Sequence, residues 1–286
     1  MTEGFIEISD GSKAVRLALA PAEGLWTANR TPIKGWWGTP DAKVDLTERQ
    51  GADGAHAVLS DAVVYSARTV TIDFAAYSRS VALEAFAGLQ AMAGRIVRVR
   101  VNAGGEDTYC DGYVETKLDD VVGAFASGTV TVVCPDPRRR SSEKRTAILL
   151  PSGTVAGAGL RYSQGLSYPL SYGEGATDAR NVGVVENRGT APAWPVVVAR
   201  GPMPDGFRLD ISGDGWASSV VYSAPVRGSV ELDFLSRTAR AGSIDATANA
   251  SIAGWHSVPP GSWARFALQG GGAVGSAIVE CRDTYI

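Results

Sequence analysis

Cys110, Cys134, Cys281, His56, His256 and two pairs of adjacent carboxylates are the side chains of this 286-residue sequence whose chemistry could go beyond packing. A zinc site needs Cys and His at short, regular spacing, and no CxxC or HExxH run occurs. Three widely spaced cysteines make no disulfide framework, so they read as buried, inert thiols. A hydrolase triad needs a nucleophile and a base; no GxSxG is present and neither histidine stands in a recognisable nucleophile arrangement. No GxxxxGK[ST] loop offers a phosphate cradle. "DISGDG", Asp210 to Gly215, opens like an acidic calcium loop, but its twelfth position is Val221, where a bidentate Glu is required. It reads instead as a Gly-rich turn between strands. Glycoside hydrolysis needs two carboxylates opposed across a cleft; Asp119–Asp120 and Glu106–Asp107 are neighbours in turn-like stretches, which leaves that chemistry open but unfavoured. These residues give no catalytic group, no metal site and no cofactor.

Binding chemistry is better represented. "VTVVCPDPRRRSSEKR", residues 130–145, carries Arg138, Arg139, Arg140, Lys144 and Arg145 directly after two prolines. A solvated inter-domain joint is the first reading and an ion-pairing surface for a protein partner the second. Nucleic-acid binding is disfavoured, because no stacking aromatics accompany the arginines and the net charge of −3 supplies no basic field. Among seven tryptophans, Trp216, Trp255 and Trp263 could line a sugar platform or fill a sandwich core. "GWWG" sets Trp36 beside Trp37. Two adjacent rings in an extended segment cannot both face one small core, so at least one is expected to meet another chain or an extra strand layer.

The elements that hold these residues are mostly strands. Apolar content of 45% allows a core, while 34 glycines and few helical patterns favour a turn-rich β architecture. "RTVTIDF" puts Val70, Ile72 and Phe74 on one face and Thr69, Thr71 and Asp73 on the other. Ala82, Ala85, Phe86, Leu89, Met92 and Ala93 fall at helical spacing over 79–93, with Ser78 or Ser80 as cap and Gly94 as stop. "RIVRVRV" alternates Val97, Val99 and Val101 with Arg98 and Arg100; "NAGGED" is a hairpin signal, and "TYCDGYVETKL" and "GTVTVVC" are further strands. Pro135 and Pro137 end the last of these at Cys134. After a Gly- and Ser-rich stretch with turns at "PSGTVAGAG" and "SYGEGATDARN", short strands recur without a helix, as in an antiparallel sandwich. The expected fold class is therefore mainly β: an N-terminal β-rich domain with one helix over 1–137, a basic joint over 138–148, and a β-sandwich over 149–286. No apolar leader and no run of about 18 apolar residues occur, so a soluble protein made in the cytoplasm is expected, without membrane insertion.

The ordered set of motifs resembles the distal tail (Dit) proteins of siphophages. In the first half it rests on Gly112-Tyr113-Val114 and on Cys134-Pro135-Asp136-Pro137. In the second it rests on Asn187-Arg188-Gly189-Thr190, on Pro195 to Val198, and on "VELDFLSRTAR", "WHSVPPGSWARFAL" and "VECRDTYI". The 153–183 stretch and "GWWG" have no matched counterpart. The resemblance implies a galectin-like C-terminal sandwich and a structural virion protein rather than an enzyme. It implies a homo-hexameric ring, built by the N-terminal domains around a channel for DNA, at the tail tip. Its neighbours are the tail tube protein and the tail-associated hub protein, and further ones open to it are a tape measure protein and a receptor-binding protein. A carbohydrate-binding module protein recognising host cell-wall glycan is the alternative, and a virion glycan hydrolase a third.

Overall fold

A computed structural model describes residues 4–21, 24–28, 33–44, 46–56, 63–122, 125–150, 181–251, 253–270 and 274–286. The Gly-rich turns read between 151 and 180 lie outside the described residues, as do the side chains of Asp119 and Asp120. The chain forms two compact units, Met1–Glu143 together with Thr284–Ile286, and Lys144–Asp283.

The first unit is a barrel. Its strands are β1 (Phe5–Ser9), β2 (Ala14–Ala18), β3 (Trp26–Thr27), β4 (Ile33–Lys34) and β5 (Arg68–Ala76), then, after the helix α1 (Arg79–Ala91), β6 (Ile96–Ala103), β7 (Glu106–Val122), β8 (Phe125–Cys134) and β9 (Arg139–Ser141). Hydrogen bonding runs β7-β6-β1-β2-β3-β5, and β8 closes the ring by pairing both β5 and β7. Closure pairs β7 with β8 from Tyr113 onward and leaves the edge of its first residues to another strand. The alternation read in the sequence sets the faces: Val70, Ile72, Phe74, Val97, Val99 and Val101 are buried in one core with Ile6, Ile8 and Leu17. On the outside Arg98 and Arg100 reach across to β7, where each holds an aspartate by two hydrogen bonds, Arg98 to Asp111 (2.8 and 3.1 Å) and Arg100 to Asp107 (2.8 and 2.6 Å). Glu106 and Asp107 thus sit in a strand rather than in a turn, because the hairpin turns one residue earlier, at Gly104 and Gly105.

The helix lies against β2, β5, β7 and β8. Ala82, Leu89 and Met92 are its buried anchors, with Val81 and Ala85 packed beside them. Phe86, expected among the anchors, is only partly buried and outside the core. Ser78 occupies the N-cap position, but its hydroxyl bonds to that of Ser80 at 2.8 Å instead of capping a backbone N–H. Leu89→Ala is expected to cost about 2–5 kcal/mol, since the barrel wall cannot collapse onto the void; a thermal melt checks this, and an unchanged midpoint would show the face is not buried.

The second unit is an antiparallel sandwich. It comprises β10 (Arg145–Leu149), β11 (Val182–Asn187), β12 (Val196–Arg200), β13 (Phe207–Gly213), β14 (Trp216–Tyr222), β15 (Ser229–Asp233), β16 (Thr238–Ala241), β17 (Ile244–Asp245), β18 (Ser262–Gly270) and β19 (Ser276–Cys281). One sheet has the order β10-β19-β12-β15-β16-β17 and the other β11-β18-β13-β14. Their inner faces share one core, in which Val197, Leu232 and Val279 of the first meet Leu209, Phe266 and Leu268 of the second. The last strand, β20 (Thr284–Tyr285), pairs with β9 and so belongs to the barrel unit.

Candidate functional site

The prolines end β8 at Cys134 as expected, but 138–148 is not a solvated joint. Arg139–Ser141 adds to β7 as β9, and Arg145–Leu149 adds to β19 as β10. Backbone pairing replaces solvation because both segments meet an open strand edge. The division between the units falls after Glu143, inside this run. Each of its cations has a carboxylate within the chain. Arg138 grips Asp136 through two side-chain bonds (2.8 and 3.1 Å), and Arg140 reaches the same carboxylate at 2.7 Å. Arg139 is buried and bonds Glu106 at 3.1 Å. Lys144 meets Glu280 at 2.6 Å, and Arg145 holds Asp283 through two bonds of 3.1 and 3.0 Å. Burial raises the Asp136 carboxyl, but the bonds and charge of Arg138 and the charge of Arg140 outweigh it, leaving it below its ordinary range. Asp283 behaves alike: burial raises it, while Arg145 and the Arg188 backbone N–H lower it further.

Behind this run lies a feature the motifs did not reveal. Arg68, at the head of β5, is 1% exposed. Its Nε donates to the Pro137 carbonyl (2.7 Å), and its Nη1 donates to the carbonyls of Gly35 (2.6 Å), Trp36 (2.8 Å) and Gly38 (2.8 Å). One guanidinium therefore ties "GWWG" to "CPDP". Gly35 is required there: its φ is +79°, and a Cβ would collide with the Thr69 carbonyl. Trp36 turns inward and is fully buried, whereas Trp37 is exposed. The alternation that buries Val70, Ile72 and Phe74 buries Arg68 too, and that parity was the available signal.

The three thiols are buried. Cys110 is held far above its ordinary range by its hydrogen bond with Cys134 and by burial. Cys281 is pushed up to about 12 by burial and the nearby Asp283 charge. All three pack in the cores, and Cys110 and Cys281 have no thiolate to offer as nucleophile.

In the sandwich the tryptophans separate. Trp255 belongs to the core, edge-on to Phe234 at 5.0 Å, with its Nε1 donating to the Ser251 carbonyl at 2.9 Å. Trp216 is half-buried and stacks on His256 at 5.3 Å. Trp263 is 42% exposed on the outer face of the four-stranded sheet. That face also carries Arg265 and Gln269 on β18 and Arg208, Asp210 and Ser212 on β13. They line a depression of 490 Å³ floored by small residues, Ala217, Ala267 and Ser219. Arg208 bonds Asp210 at 2.6 Å, so the "DISGDG" aspartate is an ion-pair partner on a strand, and Asp214–Gly215 make the hairpin turn. Among the described residues, no group of three or more His, Cys, Asp or Glu is placed to hold a metal ion, and no helix is long and apolar enough to cross a membrane.

The chain is thus a barrel with one helix followed by a two-sheet sandwich, with its last strand, β20, paired in the barrel unit. Across the whole chain the fold is similar to the Dit protein of phage SPP1, described as a paradigm of hub adsorption apparatus in Gram-positive infecting phages. The TM-score is 0.60 at 11% identity, over 98% of this chain and 99% of that one. It is also similar to a chain of the phage P2 baseplate in its activated conformation, with Ca (TM-score 0.50, 8% identity) and with Sr (TM-score 0.52, 8% identity), over 97% of both chains in each case. No protein-family model matches the sequence, and no curated protein does. At these identities the likeness is one of fold.

Proposed function

We propose that this chain is a non-enzymatic distal tail adaptor of a siphophage virion. In this reading six copies form a ring around a DNA channel and join the tail tube to the hub and the host-recognition apparatus. One observation carries it: the likeness to the SPP1 Dit protein covers 98% of this chain and 99% of that one, so both units and their order are shared. Light scattering behind size-exclusion chromatography, with negative-stain imaging of the full chain, tests it. A six-fold ring is expected; a protein that stays monomeric at every concentration, with no ring on the grid, overturns it.

The ring reading also makes a prediction for the basic run. Counterion release from DNA needs cations free to replace the ions around phosphates, and Arg138, Arg139, Arg140, Lys144 and Arg145 are each engaged by a carboxylate. Fluorescence anisotropy at physiological salt is expected to show no micromolar binding of duplex DNA. Salt-sensitive binding that disappears in an Arg138→Ser/Arg140→Ser variant would restore a nucleic-acid role.

A second reading, recognition of host cell-wall glycan by the sandwich, is favoured by the outer face that holds Trp263. It combines an exposed ring for stacking with polar side chains around a shallow depression. Binding of cell-wall polysaccharide fragments that Trp263→Ala abolishes supports it; no binding by the wild type removes it.

A further inference from the structure

Among the described residues, four buried side-chain atoms have no protein hydrogen-bond partner: Arg68 Nη2, Thr108 Oγ1, Arg139 Nε and Trp194 Nε1. The first three belong to the barrel unit, on neighbouring strands. The pairing of β9 with β7 sets Tyr109 opposite Arg140, and carried one residue further it sets Cys110 opposite Arg139. The pairing of β7 with β8 sets Tyr113 opposite Val133, so Gly112 faces Cys134, and Arg68 lies opposite Cys134 on β5. Arg139 and Arg68 thus lie across β7 and β8 from each other with a step of two residues along β7, from Cys110 to Gly112, and the Arg139 charge is felt at Arg68. Thr108 shares the inward face of β7 with Cys110, two positions away. Gly112 lets β7 and β8 close up, since a Cβ there would strike the Val133 carbonyl.

The charge here does not balance. Arg68 and Arg139 are 1% and 5% exposed. Arg139 has one carboxylate, Glu106, which is itself about half in solvent. Every hydrogen bond of Arg68 goes to a neutral carbonyl. Burial lowers the Arg68 affinity for its proton, and the nearby Arg139 charge lowers it again, yet a guanidinium stays protonated in proteins. The Cys110 thiol is held in its neutral form by its hydrogen bond with Cys134 and by burial. Two cations thus face one peripheral carboxylate in a closed interior, where an uncompensated charge is costly. The orphan groups are two N–H donors and a hydroxyl able to donate, so the missing partner must accept.

We propose that a small monovalent anion of the halide class, chloride in ordinary buffers, is held by Arg68 Nη2, Arg139 Nε and Thr108 Oγ1. One negative charge matches the excess, and a spherical ion accepts from three directions. The near-complete burial of both arginines argues against a phosphate or a partner's carboxylate. A water molecule would satisfy donors but leave the charge. The ion would complete the seam where "GWWG", "CPDP" and β20 meet, since Trp36 and Tyr285 place their rings 5.8 and 5.7 Å from the Arg139 guanidinium carbon.

Two measurements on the full chain decide this. Crystals of the wild type soaked in sodium bromide are expected to show bromide anomalous scattering beside Arg68 Nη2. Anomalous peaks confined to the surface, with only water at this position, overturn the proposal. The melting midpoint is expected to be higher in sodium chloride than in sodium gluconate at equal ionic strength. The gain should be roughly a few degrees per tenfold rise in chloride above the dissociation constant. Thr108→Val, which removes one donor and keeps the shape, should flatten that dependence. Identical midpoints in the two salts for the wild type also overturn it.

Discussion

Arg68→Ala is expected to destabilise the barrel by about 3–5 kcal/mol, the range for breaking a buried charged hydrogen-bond centre, and to lower its melting midpoint by on the order of 10 °C or more. The guanidinium serves the carbonyls of Gly35, Trp36, Gly38 and Pro137 at 2.6–2.8 Å. Alanine leaves all four without that donor and opens a void the size of the side chain. Removing the charge also relieves its desolvation, so the loss should be smaller than four separate penalties summed. Arg68→Lys tests the geometry. An ammonium keeps the charge but is a compact point donor rather than a planar fork, and it is expected to recover only part of the loss. Hydrogen exchange should locate the damage at residues 35–38 and 137–141. A variant that melts like the wild type would show that the guanidinium is incidental to the barrel.

How much of this was legible depends on where each constraint originates. Local alternation places Val70, Ile72 and Phe74, and Val97, Val99 and Val101, because in a half-buried strand the face is set by parity alone. Chain stops are equally local: Pro135 and Pro137 end β8 without reference to the rest of the fold. What the sequence hides is pairing at a distance. β3 and β4 are two residues each, too short to carry a period, and they exist because β5 offers them an edge. β9 looks like a charged linker because its partners lie on β7 and at the far end of the chain, on β20. The helix anchors divide on the same ground: helical spacing selects Leu89 and Phe86 together, and only the direction of the barrel wall separates them. Arg68 was readable by parity, yet a strand-end arginine ordinarily turns to water. The carbonyls that hold it come from residues 30 to 33 positions upstream and 69 downstream.

Phe234→Ala is expected to destabilise the sandwich by about 3–5 kcal/mol. The ring is fully buried between the two sheets. It meets Trp255 edge-on at 5.0 Å and Phe266 at 6.2 Å, contacts that add about 0.5–1.5 kcal/mol per pair beyond their area. The neighbours cannot close the void easily. Trp255 is tethered through its Nε1 to the Ser251 carbonyl, and the Phe234 N–H bonds the Pro195 carbonyl at 3.2 Å, which fixes the backbone beside the gap. Trp263 makes the useful contrast, since an exposed side chain away from the core is expected to change stability by no more than about 0.5 kcal/mol when truncated. Calorimetry on the two variants separates the roles that a count of tryptophans and phenylalanines leaves mixed. A large loss for Phe234→Ala beside a negligible one for Trp263→Ala assigns the first ring to the core and leaves the second free to bind. Equal, small losses would mean that the sandwich core tolerates a void of this size and that burial here does not set stability.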